Sequence, residues 1–403
     1  MTSAVEAVWR IESARIVATL ARMTGDLGLA EDLAQEALVE ALEQWPASGT
    51  PRNPGAWLTA VAKRRAIDGW RRRERLDDRY RAIAHDLAET VEQDWQPIGD
   101  DVLRLVFIAC SPRLSRESQV ALTLRVVGGL TTDEIARLLL VSVPAVQARI
   151  TRAKKALAGA PFETPEPGEW AERLGGVLGV VHLVFTEGYA ATGGAEWMRP
   201  DLAAEALRIG RVLAGRLPRE PEVHGLVALM ELQASRFAAR RGPDGEPVLL
   251  EDQDRTRWDR AQIGRGIAAL ARADAIGSGR GPHALQAAIA EQHAIAPSVA
   301  ATDWSRIVRL YDALARLGPN PVVELNRAVA VSMAEGPEAG LALVDALAAR
   351  DALAAGHLLP SVRGELLRRL GRADEARAAL AEAASRATNE RVRDVLLAKA
   401  AAG

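Results

Sequence analysis

The sequence predicts an all-α protein of several domains, on three observations. Ala, Leu, Arg and Glu dominate while aromatic residues make up only 4%, a composition that favours helices over strands. Apolar residues recur at three- and four-residue spacing through most of the chain, the period of a half-buried helix. Finally, 403 residues exceed what one hydrophobic core organises, and proline- and glycine-rich breaks divide the chain. The divisions read as a helical unit over 1–82, an acidic linker over 83–100, a second helical unit over 101–158, a proline-rich linker over 159–169, and a long helical region over 170–403.

Charge is segregated along this order although the whole chain carries a formal net charge of only −2. From Lys63 to Arg81 nine basic residues face four acids, and from Arg137 to Lys155 there are five basic residues and no acid. Between them, 82–103 holds Asp86, Glu89, Glu92, Asp94, Asp100 and Asp101 and no Lys or Arg. Such segregation speaks to partners rather than to fold.

The element 131–157 (TTDEIARLLLVSVPAVQARITRAKKAL) reads as a helix-turn-helix. Thr131 is a good N-cap and Glu134, three residues on, completes a capping box. Ile135, Leu138 and Leu139 form the inner face of the first helix. Val141-Ser142 makes the turn, Ser142 can cap the second helix, and Pro144 is tolerated because it falls in the first turn of that helix. On that helix Val146, Ile150, Ala153 and Leu157 pack inward. Gln147, Ala148, Arg149, Thr151 and Arg152 are then the expected readers of base edges in the major groove, with Lys154 and Lys155 better placed for phosphates.

Upstream lies an acidic helix, GDLGLAEDLAQEALVEALEQW, with Leu38, Ala41, Leu42 and Trp45 as its expected inner stripe. Asp32, Gln35 and Glu36 share one polar face by their spacing. A loop over 46–55 follows, then the basic helix WLTAVAKRRAIDGWRRRER, in which Trp57, Val61 and Ile67 face inward. Lys63, Arg64, Arg71, Arg72 and Arg73 face outward, and Trp70 and Tyr80 interleave with them in a pattern suited to single-stranded or melting DNA.

These three stretches, in this order and spacing, resemble regions 2 and 4 of the extracytoplasmic-function sigma factors of the sigma-70 family. The resemblance implies that Asp32, Leu33, Gln35 and Glu36 dock on the clamp helices of the β′ subunit of core RNA polymerase. It implies that the basic helix, through Lys63, Arg64, Arg65, Asp68, Arg71, Arg72 and Arg73, opens the −10 element of promoter DNA. It further implies that the helix-turn-helix reads the −35 element, near the β flap, and that the linker threads the polymerase. Arg64 stands where many members have Asn. The remaining chain resembles the tetratricopeptide-like C-terminal extension of one subgroup, in segments such as FTEGYAATGG, EDQDRTRWD and PNPVVELNRAVAV. Within it, the stretches from Glu324 and from Val362 align with an offset of 37 residues, near the period of helical-hairpin repeats. A regulatory protein or ligand acting on this region is the expected means of control.

Other classes receive less support. His182, His224, His283, His293 and His357 lack metal-ligand spacing, so no metal is expected. No nucleophile, phosphate loop or cofactor fingerprint accompanies the polar run Glu251–Trp258, so neither an enzyme nor a cofactor is expected. That run reads instead as a buried Asp/Arg network with Trp258 in the core, or as a sensing pocket. Cys110 is the sole cysteine and sits in an apolar stretch, which suits a reducing cytoplasm and an inert thiol. The most apolar stretch, 174–185, is too short to cross a bilayer. A dimeric helix-turn-helix regulator with a C-terminal sensor is the alternative, and it has no need of the Asp32/Gln35/Glu36 face.

Overall fold

The computed structural model describes residues 2–73, 99–139, 141–160, 162, 165–166, 168–191, 197–243, 245–277, 279–350, 353 and 356–402. Among these residues the secondary structure is helical and no β-strand forms, as the composition requires. The chain divides into two compact units, Met1–Val181 and His182–Gly403.

The first unit begins with α1 (Thr2–Thr24), α2 (Leu27–Ser48) and α3 (Pro54–Arg73), which pack on one another. Asp26 starts α2 by accepting the Leu29 amide at 3.1 Å. The buried face of α2 is a stripe of small residues, Ala30, Ala34, Ala37 and Ala41, ending in Trp45. The larger Leu42, expected inside, is 37% exposed: alanines let α2 lie close to its neighbours, and the leucine falls off that line. The loop expected at 46–55 is also shorter. Pro46 sits in the last turn of α2, where it forfeits one backbone bond. The helix then runs to Ser48 and closes with the Gly49 amide on the Trp45 carbonyl at 2.9 Å.

The unit continues with α4 (Gly99–Ala109), α5 (Arg116–Val126), α6 (Thr132–Leu139) and α7 (Val143–Leu157). The helix α8 (Trp170–Tyr189) contains the division between units. Most of the acidic linker lies outside the described residues. Asp101, just past it, is buried in the first turn of α4 and pairs with Arg22 at 2.9 Å and Arg104 at 3.0 Å. α1 also meets the turn before α6, where the Trp9 indole donates to the Gly129 carbonyl at 3.0 Å. Gly129 has φ +71, and a Cβ there would stand 2.3 Å from the Ser13 hydroxyl, so both backbone conformation and space require glycine. Cys110 is buried in this core beside Thr123, and burial pushes its thiol up to about 11.

The second unit consists of α9 (Pro200–Arg216), α10 (Pro221–Ala234), α11 (Arg260–Ile276), α12 (Pro282–Ile295), α13 (Trp304–Leu317), α14 (Pro321–Ala334), α15 (Pro337–Ala349), α16 (Leu358–Arg369), α17 (Ala373–Arg386) and α18 (Glu390–Ala402). Each packs against the next. The aligned stretches from Glu324 and Val362 become the hairpins α14–α15 and α16–α17, which share a core that includes Leu325, Leu341, Val344, Leu366 and Ala376. A Cβ on Gly340 would lie 2.4 Å from the Ser332 Cβ, so the first hairpin closes tightly only with glycine there. Two buried or half-buried acids tie earlier helices together. Glu231 on α10 takes Arg211 at 2.6 Å and Arg265 at 3.4 Å. Glu222 accepts the His283 and Ala284 amides at the start of α12, at 2.8 and 3.2 Å.

The run from Glu251 differs from its expected form. Trp258 is in the core, but the acids do not pair with Arg255. Asp254 and Asp259 instead cap short and long helices, accepting the Thr256 and Gln262 amides at 2.9 Å each. Arg255 donates to the carbonyls of His293 and Ala296 (2.8 Å to the latter), satisfying the C-terminal end of α12. Capping needs single acids on exposed backbone, so the carboxylates stay outside.

Candidate promoter and polymerase interface

The helix-turn-helix is built by its caps. The Thr131 amide donates to Glu134 at 2.8 Å and the Glu134 amide to the Thr131 hydroxyl at 3.2 Å. Together these form the capping box that starts α6. Ser142 accepts the Ala145 amide at 3.3 Å and starts α7. Val146, Ile150, Ala153 and Leu157 of α7 are buried, and Ile135 and Ala136 of α6 are buried beneath the same turn. The side chain of Leu138, read as inner, lies outside the described residues. With its inner face so fixed, α7 leaves Gln147, Ala148, Thr151, Arg152 and Lys155 exposed and Arg149 half-exposed.

Lys154 departs from the phosphate-facing role its position suggests. It turns toward α2, where its ammonium meets Glu31 at 2.5 Å and Asp32 at 2.9 Å. Arg125 of α5 completes the cluster, meeting Glu31 at 2.7 Å. Burial alone would depress the Lys154 ammonium, but Glu31 and Asp32 outweigh it and hold its pKa above the usual value. Glu31, which the sequence reading passed over, is therefore the central residue here: a buried carboxylate gripped by two cations from distant segments. An acid at a helical position facing an alanine stripe is the only trace it leaves in the sequence.

On α2 the expected docking residues separate. Asp32 and Glu36 are exposed and Gln35 half-exposed, whereas Leu33 is buried in the bundle. Glu36 is engaged by Arg65 of α3 at 3.0 Å, and Arg65 also pairs with Glu40 at 2.7 Å. Arg65 thus braces α3 against α2, and these carboxylates raise its pKa. Of the remaining residues on α3, Arg64 and Asp68 are exposed and Lys63 is half-buried. Burial, with Arg22 nearby, lowers the Lys63 pKa. Trp57 is half-buried, edge-on to Trp45 with ring centres 5.3 Å apart. Arg71, Arg72 and Arg73 continue α3, but their side chains, like that of Trp70 and all of Tyr80, lie outside the described residues.

A helix-turn-helix with a polar and cationic outer face, joined to a three-helix bundle with an acidic one, defines a two-module DNA-binding transcription factor. The comparisons make this specific. Residues 10–76 match the family described as Sigma-70 region 2, and residues 104–157 match Sigma-70, region 4. Residues 173–274 match a family of unknown function (DUF6596). The chain is 31% identical over 150 residues to the "ECF RNA polymerase sigma factor SigK" of Mycobacterium ulcerans (strain Agy99), covering 36% of this chain and 78% of that protein. It is 33% identical over 139 residues to the "Probable ECF RNA polymerase sigma factor SigI" of Mycobacterium tuberculosis (strain CDC 1551 / Oshkosh), over 33% of this chain and 47% of that protein. Over nearly the whole length, 385 residues, it is 46% identical to the "Uncharacterized protein R00370" of Rhizobium meliloti (strain 1021), covering 92% of this chain and 89% of that one. No solved structure matches the chain. The chain belongs to the extracytoplasmic-function sigma-70 family and carries a helical C-terminal extension. Among the described residues no helix is long and apolar enough to cross a membrane.

Proposed function

We propose that this sigma factor binds core RNA polymerase through the Asp32/Gln35/Glu36 face of α2, against the β′ clamp helices, and reads promoter DNA with two helices. α7, near the β flap, takes the −35 element as duplex through Gln147, Ala148, Arg149, Thr151 and Arg152, with Lys155 on phosphate. α3 takes the −10 element through Arg64, Asp68 and the Arg71–Arg73 run, and strand opening comes from capture of unstacked bases rather than from nucleotide hydrolysis. The protein acts in the cytoplasm, and its C-terminal extension regulates it.

One observation carries the reading: a single chain exposes a Gln/Thr/Arg/Lys face on α7 and an acidic face on α2. Lys154 joins these two surfaces, so the free protein holds its polymerase-docking face partly covered. Polymerase binding then exchanges the Lys154 contact for the clamp.

The test is co-elution with purified core enzyme. The double variant Asp32→Lys, Glu36→Lys loses co-elution while its helical circular dichroism is unchanged. Lys154→Met, which uncovers the acidic face, binds core at least as well as the native chain. Unaltered co-elution of the double variant would overturn the docking assignment.

A further inference from the structure

The second unit encloses a cavity of about 740 Å³, within the size range of small-molecule sites. It opens between the end of α10, the helices α12 and α13, and the start of α14. Its lining mixes apolar Leu250, Ile289, Leu314, Val322 and Val323 with polar Arg236, His182, His293, Gln286 and Asn326, and among the described residues no carboxylate lines it.

Arg236 and two further guanidinium groups gather near this lining without a counter-charge among the described residues. Arg236 donates to the Tyr189 hydroxyl, Arg240 to the Tyr189 carbonyl at 2.6 Å, and Arg255 to the Ala296 carbonyl at 2.8 Å. Aromatic faces cover them: Arg240 lies 3.5 Å from the centre of the Tyr189 ring and Arg255 4.6 Å from that of Trp258. Among the described residues none of the three has a carboxylate partner, unlike Arg211 and Arg265 on Glu231 in the same unit. Cations held out of water are ordinarily paired. In addition, the neighbouring Arg236, Arg255, Trp258 and His293 each leave a buried side-chain nitrogen without a hydrogen-bond partner. Native structures rarely concentrate such orphans in one place.

Burial holds the His182 ring at about 4, helped by His283, and the His293 ring at about 4, helped by Arg236 and Arg255. Both imidazoles are therefore neutral at neutral pH, and Arg236 is the one Arg or Lys among the described lining residues. A guanidinium presents a planar fork of donors matched to the oxygens of a carboxylate or phosphate.

We propose that this cavity binds a small organic anion, a carboxylate or phosphate monoester on a flat or apolar body, with its charged head on Arg236 and its body against Ile289, Leu314 and Val322. Only the transcriptional consequence of binding rests on the regulatory reading of the extension; binding itself involves neither polymerase nor promoter.

The experiment is isothermal titration of the full-length protein with benzoate, phenyl phosphate and the neutral isostere benzamide. Benzoate, phenyl phosphate or both bind saturably at one site per chain, benzamide does not, and the tighter anion identifies the head group. Arg236→Gln weakens binding by about tenfold or more, the loss expected of one charged hydrogen bond. Val322→Trp, which fills the mouth from a position 39% exposed, abolishes binding while the melting temperature stays native. Absence of saturable binding by both anions, equal binding of benzamide, or native affinity in both variants each overturns the proposal. Because no polymerase is present, such a failure leaves the docking assignment on α2 standing, and loss of that assignment leaves this one intact.

Discussion

Two buried charge clusters, one in each unit, follow opposite rules. In the first unit the acid is innermost: Glu31 is 4% exposed and meets Arg125 and Lys154 at hydrogen-bond distance. In the second the buried member is a cation: Arg240 is 8% exposed, and it and the half-buried Arg236 and Arg255 lie against Tyr189 and Trp258 with only neutral acceptors among the described residues. A buried charge costs several kcal/mol unless a partner offsets it. The first cluster is complete in the polypeptide and ties segments far apart in sequence. Among the described residues the second has no carboxylate, the charge that the proposed anion would supply.

The largest effect should come from breaking the complete cluster. Glu31→Gln leaves Arg125 and Lys154 without their carboxylate and should destabilise the first unit by about 3–5 kcal/mol in urea unfolding. Arg236→Gln should cost far less, since it removes a charge that lacks a counter-ion. Equal losses for the two variants would erase the distinction.

Acid separates the units next. His182 and His293 have folded values near 4, below the usual 6.5, so the unfolded chain takes up protons first as pH falls. Their contribution is whole above about 6.5 and is lost progressively between 6.5 and 4, at roughly 2–3 kcal/mol for each ring. Glu365, held near 2 by Arg368 and Lys399 against the pull of burial, adds its own loss only below about 4.5. The melting temperature of the second unit should thus decline from pH 6.5 downward, and His293→Gln should flatten that slope.

Smaller effects test local construction in the first unit. Gly129→Ala must adopt a positive φ and press on Ser13, a cost of roughly 2 kcal/mol. Ser142→Ala removes the cap of α7 and should cost about 1 kcal/mol, visible as a modest fall in thermal midpoint and in promoter affinity.

Local rules made much of the first unit legible in the sequence. The capping box at Thr131 and Glu134, the cap at Ser142 and the inner stripe of α7 all depend on residues within a few positions of one another, and each appears where it was expected. The C-terminal hairpins were legible for the same reason, since a repeat announces itself by spacing. What stayed hidden depends on distance. Glu31 and Lys154 are separated by more than a hundred positions, and nothing local marks a lysine as bound to a carboxylate rather than to phosphate. On the inner face of α2, Ala41 and Trp45 lie where the spacing puts them, but Leu42 does not, because close packing there runs along the alanines instead. The cationic cluster assembles from α8, the segment after α10, the segment around Arg255 and α12, so its residues look like ordinary loop arginines until the fold brings them together.

The buried Cys110 has a practical consequence. Its thiol, raised to about 11, is almost entirely protonated at neutral pH and shielded from reagents. A cysteine placed on the outer face of α7 and another on α2 would thus take up fluorophores with no background labelling from the native residue. Energy transfer between the two dyes would then follow, in real time, whether the Lys154 latch releases when polymerase arrives.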